Sequence, residues 1–118
     1  MPKWYKANCK IMKKIILVFI ILIGFNKMSF AQKSASKHII EIKQMKFVPA
    51  KLTVKKGDTV VWINRDIFKH DVAKFNDKSW QSTPLEKNQS WSKIITKGEE
   101  YFCTFHVVMK GEIILEKN

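Results

Sequence analysis

Cysteine is the scarcest reactive residue in this chain. Only Cys9 and Cys103 occur among 118 residues, and Cys9 sits in a basic leader ahead of any apolar run. If that leader is removed, one thiol remains and an internal disulfide is excluded. Cys103 is then a buried bystander, an intermolecular partner or a metal ligand. Histidine is almost as sparse: His38, His70 and His106 are the whole complement. Three imidazoles are too few for the clusters of a multicopper catalyst, which argues against an enzyme. Arginine is reduced to Arg65. The lysines are scattered rather than gathered into the dense stripe of a nucleic-acid binder, so no nucleic-acid partner is expected. Internal repeats, low-complexity tracts and, from His38 onward, any helical stripe are also missing.

A long hydrophobic run is lacking too. Residues 1–14 carry Lys3, Lys6, Lys10, Lys13 and Lys14 without an acid, and residues 15–24 form one apolar stretch. Ser29-Phe30-Ala31 then supplies a small-x-small step, completing the order of an export signal. Cleavage is expected after Ala31, giving a periplasmic or otherwise exported protein. The apolar run falls short of the roughly 20 residues of a spanning helix, so no stable membrane insertion is expected after cleavage. The alternative is retention as an N-terminal anchor. Cys9 precedes the apolar run, where a lipoprotein cleavage cysteine would not lie. Removing residues 1–31 takes away six lysines and no acid, lowering the formal charge from +12 by 6 to +6. A moderately basic surface can steer an acidic protein partner.

What is present after the leader is a β pattern. Residues 32–37 form a short polar leader and residues 38–118 one small domain. Residues 39–43 alternate with period two, residues 45–49 break the pattern, and residues 52–54 resume it before the turn Lys56-Gly57-Asp58. Residues 59–63 read as a buried strand ended by Asn64 and Asp66. Residues 71–75 suggest another strand, residues 80–88 a loop containing Pro84, and residues 90–95 and 112–116 two more strands. Short strands at this interval predict an all-β sandwich or barrel. Phe47, Trp62, Phe75, Trp80, Trp91, Tyr101 and Phe102 are the expected large fillers, with Met45 also in the core. His38 is expected to be solvated.

The chemistry concentrates in Tyr101-Phe-Cys-Thr-Phe-His-Val-Val-Met-Lys-Gly111. Cys103, His106 and Met109 stand at C-x2-H-x2-M, so one short loop can bring thiolate, imidazole and thioether to a single point. His70 supplies a second imidazole. Two His, one Cys and a weak axial Met are the donor set of a copper electron-transfer site.

These residues resemble a known family. Met45-Lys-Phe-Val-Pro49, the stretch from Leu52 to Asn64 with its Gly-Asp-Thr-Val-Val-Trp-Ile-Asn, His70-Asp-Val72 and the ligand loop together resemble the cupredoxins. The short loop is most similar to the plastocyanin and amicyanin branch. The resemblance spans about residues 38–116. It implies a Greek-key β-sandwich holding one type 1 copper through His70, Cys103, His106 and Met109. It also implies a monomer that carries single electrons between redox partners, with docking near His106. Phe68, Phe105, Val107 and Val108 would then ring that histidine. Copper storage or delivery to a cuproenzyme is the alternative, and a metal-free interaction sandwich a third. Two departures stand out. Phe105 and Val107 replace the prolines that commonly flank the second histidine, removing two φ locks. Asp71 replaces a neutral residue after the first histidine, where a carboxylate can still link to Thr104 and would favour Cu(II).

Overall fold

The computed structural model describes residues 3–24 and 34–117. These form two units, an N-terminal helix and a β domain that begins at Ser34. The helix α1, Lys3–Gly24, covers both the basic and the apolar parts of the leader. Its apolar side chains from Ile11 to Ile21 are exposed. No helix among the described residues is long and apolar enough to cross a membrane. Ala31, the expected cleavage site, lies outside the described residues.

The domain carries eight strands: β1 Lys37–Lys43, β2 Lys46–Val48, β3 Lys51–Val54, β4 Thr59–Asn64, β5 Ala73–Lys74, β6 Ser90–Ile94, β7 Glu99–Phe102 and β8 Lys110–Leu115. They make two four-stranded sheets, in the orders β2-β1-β4-β6 and β3-β8-β7-β5. The β1–β4 and β3–β8 pairings are parallel and the rest antiparallel. Parallel neighbours cannot be joined by a hairpin, so the chain crosses repeatedly between the layers. The all-β sandwich expected from the period-two pattern is present.

Alternation places the core. Ile40 and Ile42 of β1 point inward while Ile39 and Glu41 do not. Phe47, Val54, Val60, Trp62, Tyr101 and Ile113 join them from the other strands. Burying each such side chain contributes about 1.5–3 kcal/mol before entropy is charged against it. Trp62 meets Tyr101 edge-on, with ring centroids 5.3 Å apart. Tyr101 packs its hydroxyl against Gly111, its partner across β7 and β8. Any Cβ at position 111 would come within 2.2 Å of that ring and hydroxyl, so glycine is required there. Gly57 is a second requirement, with φ at +96° in the Lys-Gly-Asp turn.

Four expectations need correction. The stretch from Met45 to Pro49 does not simply interrupt the sheet, because β2 folds back on β1 through the two-residue turn Gln44-Met45. Both turn residues have positive φ, +52° and +59°, as a type I′ hairpin demands. Neither is the Asn or Gly that normally signals such a turn, which hides it in the sequence. Met45 is therefore at a surface turn and more than a third exposed rather than in the core. The strand expected over residues 71–75 shrinks to Ala73–Lys74, because the preceding backbone at His70 and Val72 bonds to Leu85 and Ser82 of the next loop rather than to β7. His38 is not simply solvated: its Nε2 lies 2.8 Å from Asp58 Oδ2. Asp58 also accepts the Ser36 and Lys55 amides, at 2.9 and 3.0 Å. The start of the domain is thus pinned to the turn before β4.

Candidate metal centre

His70, in the loop between β4 and β5, and Cys103, just after β7, are brought together from 33 residues apart in the chain. After β4 the chain enters a loop held by Asn64, which is fully buried. Its side-chain amide donates to the carbonyls of Phe68 and Leu85 at 2.7 and 2.8 Å, and its Oδ1 accepts the Asp66 amide at 2.9 Å. Backbone bonds between His70 and Leu85, at 3.2 and 2.7 Å, clamp the histidine in place. Cys103 follows β7 directly, and its loop closes on itself. Cys103 N donates to the Met109 carbonyl at 3.1 Å, and Met109 N to the His106 carbonyl at 2.9 Å.

The result is a converging donor set. His70 Nδ1 lies 3.7 Å and His106 Nδ1 3.9 Å from Cys103 Sγ. The donor atoms of the three residues all fall within 4.8 Å of one another, and the two imidazole rings are 5.1 Å apart. An ion between a nitrogen at about 2.05 Å and a sulfur at about 2.3 Å separates them by roughly 3.8 Å at a trigonal angle. The pocket therefore fits a metal ion without rearrangement. His70 and Cys103 are fully buried, Met109 is buried, and His106 is half-buried. Met109 closes the same loop from within the core cluster.

Burial pushes the Cys103 thiol above its ordinary value, against the pull of the Asp71, Phe105 and His106 amides. A cation held there would reverse that balance, since a coordinating thiol is deprotonated outright, and its uptake would release a proton.

The groups behind the donors are equally defined. Asp71, buried next to His70, takes the Thr104 amide on Oδ1 at 2.6 Å. Its Oδ2 takes the Thr104 hydroxyl at 2.5 Å and the Gln81 amide at 2.8 Å. The link between the two ligand loops expected from Asp71 and Thr104 is present. Asp66 was legible only as a residue ending a strand, yet its Oδ2 lies 2.9 Å from His70 Nε2. The same carboxylate accepts the Gln44 and Met45 amides of the β1–β2 turn, at 2.8 and 3.0 Å. Burial raises its pKa, but the Met45 and Gln44 amides and the His70 ring outweigh that and hold it below the usual carboxylate value. A carboxylate four residues before the candidate ligand His70 was the available signal.

A two-sheet sandwich with two imidazoles and a thiol meeting at one end defines the class, a small copper protein of the cupredoxin type. The model of the copper binding proteins of the plastocyanin/azurin family matches residues 34–116, and the chain belongs to that family. Amicyanin of Paracoccus versutus is 31% identical over 94 residues, covering 73% of this chain and 70% of that protein. A Synechococcus plastocyanin is 26% identical over 128 residues, covering 89% and 94%. Among solved structures, the reduced Cu(I) form of an amicyanin mutant superposes with a TM-score of 0.64 at 30% identity. That match covers 73% of this chain and 88% of the other.

Proposed function

We propose that His70, Cys103, His106 and Met109 hold one copper ion and that the chain carries single electrons between redox partners of the cell envelope. The carrying observation is the convergence of two imidazole Nδ1 atoms on Cys103 Sγ, at 3.7 and 3.9 Å. Bound there, copper supplies one-electron Cu(II)/Cu(I) cycling, and His2Cys with an axial Met is the ligand set suited to it. The chain contributes rigidity. Asp66 fixes His70 from behind and Asp71 ties the His70 and Cys103 loops together, so the donors hold their places in both oxidation states. No substrate is transformed.

His106 supports a docking role. It is half-buried at the loop, and its neighbours Phe105, Val107 and Val108 are exposed at 50, 63 and 88%. Phe68, two residues before His70, is exposed as well. Such an apolar rim suits transient contact with a redox protein, with the basic surface favouring an acidic one. Helix α1 joins a basic segment to an apolar one, which supports export of the chain and removal of residues 1–31.

Titration of the chain with Cu(II), followed by visible and electron-spin spectra, tests the reading. One equivalent should give intense thiolate-to-copper absorption and reversible one-electron cycling. Cys103→Ser should lose the colour while remaining folded. A loaded protein that stays colourless under oxidising conditions overturns the proposal, and ready surrender of Cu(I) to an acceptor would mark copper delivery instead.

A further inference from the structure

Trp62, Trp80 and Trp91 form a connected group that the copper reading does not use. Trp80 and Trp91 stack with centroids 5.8 Å apart and planes 21° from parallel. Trp62 lies 5.5 Å from Trp91 and 6.4 Å from Trp80. The group runs from the half-buried Trp80 and Trp91 to the fully buried Trp62. Such distances alone describe ordinary aromatic packing. What sets Trp80 apart is its indole N–H, which donates to Glu99 Oε2 at 2.5 Å. The Glu99 side chain is itself only 8% exposed, with Lys97 Nζ 3.4 Å from its other oxygen.

An indole gives up one electron to a strong oxidant, and its N–H becomes far more acidic once it has done so, comparable with a carboxylic acid. A carboxylate already on that hydrogen can take the proton without rearrangement. Lys93 Nζ sits 5.3 Å from the Trp80 ring centroid. A cation over the face repels a positive charge on the ring, so it raises the oxidant strength required and makes proton loss the favoured outcome once the electron has gone. The other buried candidates lack this exit. Neither Trp62 Nε1 nor the Tyr101 hydroxyl has a hydrogen-bond partner among the described residues.

We propose that Trp80, backed by Trp91 and Trp62, is a one-electron redox site of the chain in its own right, with Glu99 as its proton acceptor. A radical-class oxidant removes one electron from the indole and is reduced by one. The N–H bond breaks, its electron pair stays on nitrogen, and the proton moves to Glu99 Oε2, leaving a neutral indolyl radical. One electron from a thiol- or ascorbate-class reductant, with the proton returned by Glu99, restores the starting state. The site acts as a sink for oxidising radicals that reach this edge of the sandwich. It is independent of the copper reading.

The test uses the full chain with Trp4→Phe, so that the three clustered indoles alone remain, loaded with redox-inert Zn(II). A flash-generated ruthenium(III) polypyridyl complex serves as oxidant, and transient absorption separates the neutral indolyl radical from its cation. The neutral species is expected, with Glu99→Gln giving a persistent radical cation and Trp80→Phe lowering the radical yield severalfold. Peptide mapping should place the stable oxidation products mainly at Trp80. Glu99→Gln preserves size and keeps the test open if Trp80→Phe fails to fold. The same radical species in the Glu99→Gln variant, or products concentrated away from Trp80, would mean packing only and overturn the proposal.

Discussion

Asp66 stands 2.9 Å behind His70, on the ring nitrogen that faces away from Cys103. Because the carboxylate is held ionised by the Gln44 and Met45 amides, it can only accept from that nitrogen. The proton is thereby placed on Nε2 and the Nδ1 lone pair is left toward the thiol. Asp66→Ala removes both the acceptor and the brace of the β1–β2 turn. Copper affinity should fall by about 10–100-fold, read by chelator competition, with His70 losing its single tautomer in nitrogen NMR of the metal-free protein. Unchanged affinity and tautomer would remove Asp66 from the site.

Met109 is the weak donor of the proposed set, and a weak axial sulfur favours Cu(II) over Cu(I). Met109→Leu keeps the volume and deletes the sulfur, so copper should stay bound and the reduction potential should rise. Each tenfold loss of preference for Cu(II) corresponds to about 59 mV for one electron. Voltammetry decides, and an unmoved potential would exclude Met109 from coordination.

Gly111 is the point where β8 passes under the Tyr101 ring. A methyl group there meets the ring and hydroxyl at 2.2–2.6 Å, and Tyr101 is fully buried within the core cluster. Gly111→Ala should cost about 1–3 kcal/mol, as overpacking does. Denaturant melts of the metal-free protein measure it. A loss no larger than that of a surface substitution would show that the ring gives way.

Asp58 sets an acid limit. Its carboxyl is lowered to about 2 by the His38 side chain first and then by the Ser36 and Lys55 amides. The unfolded chain thus binds more protons than the folded one between the ordinary value of 3.8 and about 2. The contribution is fully present above that window and is lost as pH falls through it. Asp58→Asn should make stability less pH-dependent there, and an unaltered acid-unfolding slope would contradict the linkage.

The sequence disclosed the parts of this protein that rest on short-range rules. Period-two alternation revealed β1, β3, β4, β6 and β8, and Cys103, His106 and Met109 are close enough in the chain for spacing to expose them. His70 was legible because few histidines compete for its role. What stayed hidden depends on three-dimensional pairing. β2 was missed because Gln44 and Met45 adopt positive φ without the usual turn residues, stabilised from a distance by Asp66. The same carboxylate looked like a strand terminator because its two tasks, bracing a hairpin and orienting an imidazole, involve partners 22 residues back and 4 residues ahead. Glu99 gave no signal at all, since its bond to Trp80 joins segments 19 residues apart.

The last strand is an inner one. β8 lies between β3 and β7, so the second layer has no spine until residues 110–115 have left the ribosome. Until then β3 and β7 have nothing between them, and the nascent polypeptide lacks the surface it would need to lock shut. Closure of that layer is therefore a late, all-or-nothing event, because a central strand must slot between two neighbours that are far apart in the chain.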